Sequence, residues 1–257
     1  MRVLITNDDG ITSAGLTLLA HVALDAGHDV IVAAPNREYS GYSAGLSGED
    51  DEGKLRTSPG RPPGLSKQVE SIAVHASPGL IAYAAGLGAF GARPDLLLSG
   101  VNLGPNVGPA VVHSGTVGAA MSAAAQGIPA MATSMASAAP QHWETARLVI
   151  TEAFAWMTSH AQDARVLNIN VPDVAPEDLL GLRAAPLATF GTVPDTVDHQ
   201  VRKLLFDALS DLGGTFEDGT DAYYLARGWA TASLVRAPTH DETEATLPTF
   251  TRQGAQR

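Results

Sequence analysis

The sequence predicts an α/β fold, a mostly parallel sheet flanked by helices, on three observations. Val3-Leu4-Ile5, Val30-Ile31-Val32-Ala33-Ala34 and Leu96-Leu97-Leu98 are continuous apolar runs of strand length, the pattern of strands buried on both faces. A stretch of helical period separates the first two, which makes a β-α-β unit. The runs end in polar turn residues, so their loops gather at the sheet edge where open α/β folds bind ligands.

The elements follow in order. After the first strand, Ser13 is placed to cap a helix from Ala14 to about Ala26, with Leu16, Leu19, Ala20, Ala23 and Leu24 on one stripe and Gly27 as the stop. The second strand ends at Pro35-Asn36-Arg37-Glu38-Tyr39-Ser40-Gly41. Residues 43–66 turn to Ser, Gly, Pro and charge, a composition too polar to order itself firmly, and read as an excursion over the site, either a lid or an inert insertion. Val69 to Val74 is a short strand, and Pro78 to about Phe90 a helix weakened by Gly86 and Gly88. Pro94 to Gly100 is another buried strand running into a turn. Ser114-Gly115-Thr116 opens a helix of small residues reaching Gln126, and Pro129 to Ser134 is a strand. Gln141 to His160 is a helix whose Trp143, Ala146, Ile150, Ala153, Phe154 and Met157 face a core. Arg165 to Val171 is a strand with Asn168 and Asn170 on one face. Beyond Pro172 the pattern weakens. Leu182 to Leu187 suits an edge strand because Pro186 cannot donate to a ladder, Asp221 to Val235 contains an apolar, aromatic run of strand character, the pieces from Gly191 look like an extended arm, and the tail from Thr239 is polar and frayed.

Composition bounds the function. The chain of 257 residues has no cysteine, which excludes disulfides, thiolate metal sites and a Cys nucleophile. The net charge of −11 and the lack of a Lys/Arg cluster argue against a nucleic-acid polymer surface. No run approaches the roughly 20 apolar residues that span a bilayer, and Met1-Arg2 leads straight into a strand, so the expectation is a soluble cytoplasmic protein.

The chemistry is expected at the strand ends. Asp8 and Asp9 close the first strand, and two adjacent carboxylates in a dry crevice call for a cation between them; as turn residues alone, Asn7, Asp8 and Gly10 make a bend and Asp9 caps the next helix. Ser40 reaches the same edge, where its hydroxyl either completes the shell of a hard cation or serves an ordinary Ser-Gly turn. The stretch from Ser99 to Gly108 holds three glycines and two asparagines, which lets backbone approach a ligand and offers the amide oxygens of Asn102 and Asn106. The Ser114-Gly115-Thr116 helix start presents N–H groups and hydroxyls suited to a phosphoryl group, or is a simple N-cap.

The order of apolar strand, Asn7-Asp8-Asp9-Gly10, Ser40-Gly41, Ser99-Gly100-Val101-Asn102-x-Gly104-x-Asn106-x-Gly108 and Ser114-Gly115-Thr116-Val117-Gly118-Ala119-Ala120 strongly resembles the SurE family of survival-protein nucleotidases. Gly127-Ile128-Pro129-Ala130 and Asn168-Ile169-Asn170-Val171-Pro172 fit the same family. The resemblance spans roughly residues 1–172. It implies a Rossmann-like core over 1–175, an oligomerisation arm over 176–240 making a homodimer or homotetramer, and a disordered tail over 241–257. It further implies metal-dependent hydrolysis of nucleoside 5′/3′-monophosphates, with Asp8, Asp9, Ser40 and Asn102 as ligands of one Mg²⁺ or Mn²⁺ ion and Asn106, Ser114, Gly115 and Thr116 as the phosphate cradle. Asp8, Asp9 and Asn102 are the implied catalytic residues, Asp9 the favoured base.

This chain departs from the family pattern where Asn36 replaces a usual Asp, Ser47 a Thr, and Ala76-Ser77-Pro78-Gly79-Leu80-Ile81 a Gly-Thr-Pro-Ala-Asp-Cys segment. Leu103, His113 and Ser122 stand where a basic residue, Tyr and Glu are common, and the C-terminal region matches only through Thr220-Asp221 and Gly228. The changes spare the implied ligands but alter the wall around the leaving group, so a relative recruited to another small phosphoester, or a quiet metal- and phosphate-binding protein, are the alternative readings.

Overall fold

The computed structural model describes residues 1–160, 165–189 and 216–238. Strand β1 (Arg2–Thr6) leads through the Asp8 turn into α1 (Ala14–Asp25) and on to β2 (Asp29–Pro35), parallel to β1. Ser13 caps α1 by accepting the Gly15 N–H, and Gly27 ends it in the left-handed region at φ 79°, as the sequence predicts.

The segment 43–66 differs from expectation. It holds a two-stranded hairpin, β3 (Asp50–Asp51) and β4 (Lys54–Leu55), and an edge strand, β5 (Thr57–Pro59). Backbone pairing orders it. β5 lies antiparallel on β6 (Glu70–Val74), Ser77 N–H donates to the Ser47 carbonyl at 2.7 Å, and Glu49 N–H donates to the His75 carbonyl at 2.8 Å. Main-chain hydrogen bonds require no apolar side chains, so the segment is ordered while remaining largely polar and exposed.

Helix α2 (Pro78–Gly86) stops where the glycines begin. β7 (Leu96–Leu103) continues past the turn expected at Ser99-Gly100, with a register shift against its neighbour between Ser99 and Asn102. Then come a 3-10 turn at Gly108–Val112, α3 (Gly115–Ala124), β8 (Ala130–Met135), α4 (Trp143–Ser159) and β9 (Arg165–Val171). Downstream, β10 (Leu182–Ala184) is an edge strand. The aromatic run expected as a strand divides into a short helix, α5 (Asp221–Leu225), and β11 (Ala230–Arg236), because Thr220 caps a helical turn before the alternating Ala230 to Val235 begins. The sheet order is β10-β11-β9-β8-β7-β1-β2-β6-β5. Only β5 and β11 run antiparallel to the strands they join, β6 and β9 respectively, and β10 follows β11 in parallel. Of the expected arm, 190–215 lie outside the described residues, as does the tail from 239.

Each central strand feeds two cores. Val3, Ile5, Leu96 and Leu98 pack with α1 and α4 through Leu16, Leu19, Ile150 and Phe154, while Leu4, Ile31 and Leu97 pack with α2 and α3 through Ile81, Val117 and Ala120. This explains the unbroken apolar runs. Among the described residues no helix is long and apolar enough to cross a membrane.

Glycine sets how closely α1 sits on the sheet. A Cβ on Gly15 would lie 2.6 Å from the Val101 nitrogen, a backbone atom that cannot swing away. Gly15→Ala is therefore expected to destabilise the protein by about 1–3 kcal/mol through overpacking, read as a lower urea midpoint at unchanged slope.

Candidate functional site

The turn after β1 is closed by its own asparagine. Buried Asn7 donates from Nδ2 to the Gly10 carbonyl at 3.0 Å and accepts the Gly10 N–H on Oδ1 at 3.1 Å. Gly10 has φ 96°, and a Cβ there would meet the Arg37 backbone at 3.2 Å, so glycine is required on both counts. Two backbone bonds tie the loop after β2 to this turn, Ile11 N–H to the Pro35 carbonyl at 2.7 Å and Tyr39 N–H to the Asp8 carbonyl at 2.8 Å. Ser40 follows directly, its hydroxyl donating to Glu38 at 2.8 Å. Asp8 is 3 % exposed, and Asp9 is intermediate.

Asn102 sits at the irregular end of β7 and is 8 % exposed. Its Nδ2 donates to the Gly104 carbonyl at 2.7 Å, which fixes the amide orientation, and its buried Oδ1 receives no hydrogen bond among the described residues. Leaving such an oxygen unpaired costs about 1–3 kcal/mol, which a cation or water would relieve.

Asn106 is held on every side. Its N–H donates to Asn170 Oδ1 at 2.7 Å, and its carbonyl accepts Nδ2 of Asn168 at 2.8 Å and of Asn170 at 3.0 Å. Its own Nδ2 donates to Ser134 Oγ at 2.8 Å, which leaves the second amide hydrogen for a ligand. Two residues on, the Gly108 N–H donates to Asp221 Oδ2 at 2.9 Å, while Asp221 Oδ1 accepts the Ala188 and Ala222 N–H groups at 2.8 Å each. Burial pushes the Asp221 carboxyl above its ordinary value, against the pull of those backbone donors.

The start of α3 closes the site. Ser114 Oγ accepts the Val117 N–H at 3.1 Å, so Ser114 is an N-cap whose own hydroxyl hydrogen remains available. The N–H groups of Gly115 and Thr116, in the first turn, have no intrahelical acceptor. Thr116 Oγ1 donates to Asp8 Oδ1, and a Cβ on Gly115 would stand 2.8 Å from Asp8 Oδ2. The acidic turn and the α3 N-terminus thus share one wall.

The residues expected in the site therefore group as follows. Asp8 touches Gly115 and Thr116; Asn102 lies near the end of β7 and Asn106 in the loop after it; Ser40 follows Tyr39, whose N–H donates to the Asp8 carbonyl, but its hydroxyl is turned to Glu38. Among the described residues no three His, Cys, Asp or Glu side chains gather as a metal-binding group, so a cation here needs the amide and hydroxyl as well as the two carboxylates. An all-oxygen donor set of this kind, with an orphaned Asn102 Oδ1, suits a hard cation such as Mg²⁺ or Mn²⁺. Sequence reasoning did not assign Asn168, Asn170 or Asp221 to the site. Two asparagines at i and i+2 in an apolar strand, and Thr-Asp at a helix start, were the available signals. At the altered wall, Asn36 Nδ2 lies 3.3 Å from His75 Nδ1, and His75 Nε2 3.2 Å from Ser58 Oγ.

A family model described as "Survival protein SurE" matches residues 3–191. The chain is 34 % identical over 248 residues to the 5′-nucleotidase SurE of Geobacter sp. (strain M21), covering 91 % of this chain and 92 % of that relative. It is 35 % identical over 192 residues to the 5′-nucleotidase SurE of Stenotrophomonas maltophilia (strain R551-3), covering 73 % and 70 %. The crystal structure of the SurE protein from Aquifex aeolicus shares the fold, with a TM-score of 0.70 at 23 % identity over 94 % of this chain and 95 % of that one.

Two measurements check the clamps. Asn170→Ala removes a donor and an acceptor from Asn106 and is expected to cost about 2 kcal/mol, whereas Asn168→Ala, which leaves the carbonyl one partner, is expected to cost about 1 kcal/mol; equal urea midpoints for the two variants would contradict this. Because the folded Asp221 carboxyl titrates above the unfolded value of about 3.9, its contribution favours the folded state fully below that pH and is lost as pH rises through the folded value. The stability of the parent relative to Asp221→Asn is expected to fall over that window in pH-resolved urea melts.

Proposed function

We infer that the chain, which belongs to the SurE family, is a divalent-cation-dependent phosphomonoesterase that hydrolyses nucleoside 5′/3′-monophosphates to nucleoside and phosphate. The observation that carries this reading is the contact of Asp8 with Thr116 and Gly115, which brings an acidic, oxygen-donating turn against the positive end of a helix. Phosphoryl transfer uses cationic charge and N–H donors around the same group, and the relatives that share this chain's motifs are named 5′-nucleotidases.

Asp8, Asp9, Ser40 and Asn102 would hold the cation, Mg²⁺ or Mn²⁺, which when bound supplies Lewis acidity and favours ionisation of water. The phosphoryl oxygens face the Gly115 and Thr116 N–H groups, the Ser114 hydroxyl and the remaining Asn106 amide hydrogen, donors that stabilise the charge spread over the equatorial oxygens. Asp9, less buried than Asp8, would accept the proton of the attacking water as the bond from phosphorus to the ester oxygen breaks, and a proton from solvent or from Asp9 would then reach the leaving hydroxyl of the nucleoside. Assembly into a homodimer or homotetramer through residues 176–240, and a cytoplasmic location suited to a cysteine-free chain, belong to the same reading.

A second reading rests on the replaced wall. Leu80 lies where a carboxylate is usual, and Gly79 packs against the Ala44 and Gly45 backbone, a Cβ there falling 2.9 Å from Ala44. This supports a different leaving group on the same phosphoryl chemistry.

A panel of phosphomonoesters with Mn²⁺ or Mg²⁺, against an EDTA control, separates the readings. Turnover of nucleoside monophosphates that EDTA abolishes supports the first, turnover of other esters alone supports the second, and phosphate binding without release identifies a quiet binding protein. Asp9→Ala is expected to lower kcat by more than about 100-fold with an unchanged circular dichroism spectrum; retained activity would count against the site.

A further inference from the structure

We propose that Tyr42 is the specificity wall of this site, a fixed aromatic face on which the planar ring of the leaving group stacks. The proposal deepens the phosphomonoesterase reading by assigning the part of the substrate that the cation and the α3 N-terminus do not touch.

Tyr42 lies between the two halves of the site. Two residues before it stands Ser40, in the loop tied by the Tyr39 N–H to the Asp8 carbonyl. One residue after it, Ser43 donates its hydroxyl to the Val112 carbonyl at 2.7 Å, two residues ahead of the Ser114 cap. The backbone of Ser43 and Ala44 also rests on Gly118 of α3, which has no room for a Cβ. The loop that carries Tyr42 is therefore tied at one end to the Asp8 turn and at the other to the start of α3.

The ring is both held and open. It meets the Tyr39 ring edge-on, with centroids 4.9 Å apart and planes at 74°, a preferred aromatic geometry. Tyr39 is 4 % exposed and anchored, whereas Tyr42 is 46 % exposed. Its carbonyl accepts the Gly45 N–H at 2.9 Å and its N–H donates to the Tyr39 carbonyl at 3.3 Å. Left-handed backbone at Gly41 (φ 79°) and Ser43 (φ 53°) fixes the turn on either side. An anchored aromatic that remains 46 % exposed, in the loop that joins the two sides of the site, fits a monomeric nucleotide, whose base is planar, or an aryl phosphoester, because stacking needs a planar ring and no particular base.

The experiment compares Tyr42→Ala, Tyr42→Leu and Tyr42→Phe with the parent, using adenosine 5′-monophosphate, phenyl phosphate and glycerol phosphate with Mn²⁺. The ratio of kcat/KM for the nucleotide to that for glycerol phosphate is expected to fall about tenfold in Tyr42→Ala and Tyr42→Leu, through KM, and to survive in Tyr42→Phe. A parallel fall for phenyl phosphate identifies any planar ring as sufficient; a fall for the nucleotide alone identifies the nucleoside. An unchanged ratio in Tyr42→Leu, including equal loss on all esters, would overturn the proposal. If the parent turns nothing over, the hydrolase reading fails by itself. Equilibrium binding of adenosine 5′-monophosphate and of inorganic phosphate then decides: nucleotide affinity that drops in Tyr42→Leu while phosphate affinity holds supports the wall, and any other result removes it.

Discussion

The structure depends on the placement of a helix N-terminus against a carboxylate. Thr116 donates to Asp8 across 108 residues of chain, and Gly115 brings the α3 backbone so near Asp8 that no side chain fits between them. Asp8 is almost fully buried, and an isolated buried charge is costly unless it meets donors or cations. The helix supplies a hydroxyl donor and the positive end of its dipole. The constraint acts in both directions: α3 cannot shift without changing the environment of Asp8, and the Asp8 turn cannot relax without leaving the helix start.

That contact would be loose if the connection from β7 to α3 could drift, and buried polar side chains prevent it. Asn168 and Asn170 of β9 grip the Asn106 backbone, and Asp221 grips Gly108. Each clamp sits in a place where an apolar residue would give more hydrophobic stabilisation and no control of the loop. The clamps are not equally satisfied: Asn170 uses both ends of its amide on Asn106, whereas the buried Oδ1 of Asn168 receives no hydrogen bond among the described residues, a cost the loop's fixation has to offset. Asp221 matters doubly, since its other oxygen binds the backbone at Ala188 and Ala222. Downstream chain is thereby coupled to the loop carrying Asn106 and Gly108, and β11 joins the same sheet by pairing with β9.

What could be read from the sequence divides along this line. Burial on both faces writes itself into Val3 to Ile5 and Leu96 to Leu98, so the core strands and α1 were legible, as were the ends of α1 from Ser13 and Gly27. The Asp8, Asn102 and Ser114 positions were legible as polar endings of apolar elements and, more sharply, as ordered motifs. The clamps were not, because Asn168 and Asn170 declare a shared polar face without naming Asn106, more than 60 residues away. Residues 43–66 were misread for a different reason. Their order comes from main-chain pairing with β6 and the Ser77 region, which leaves no hydrophobic signature. Asp221 was hidden inside an aromatic run that favours strand, although Thr220 in front of it is a good helix cap.

The charge of the chain bears on what such a site is for. The net charge is −11, and the candidate phosphate-facing groups, Asn106, Ser114, Gly115 and Thr116, are all uncharged. The Asp8 carboxylate beside Gly115 and Thr116 would repel a phosphate, so under the proposed function the attraction would come from a cation held at the acidic turn together with partial charges on N–H groups. Beside a carboxylate as buried as Asp8 such charges are screened less by salt than exposed ones, but salt would weaken their pull on a phosphate still in bulk solvent. With this charge a polymer of many phosphates would be repelled overall, whereas under the proposed function a single phosphoryl group would meet the cation and the N–H donors together. The contact that makes the Asp8 carboxylate costly to bury is therefore the same one that would place a phosphoryl group against the α3 N-terminus.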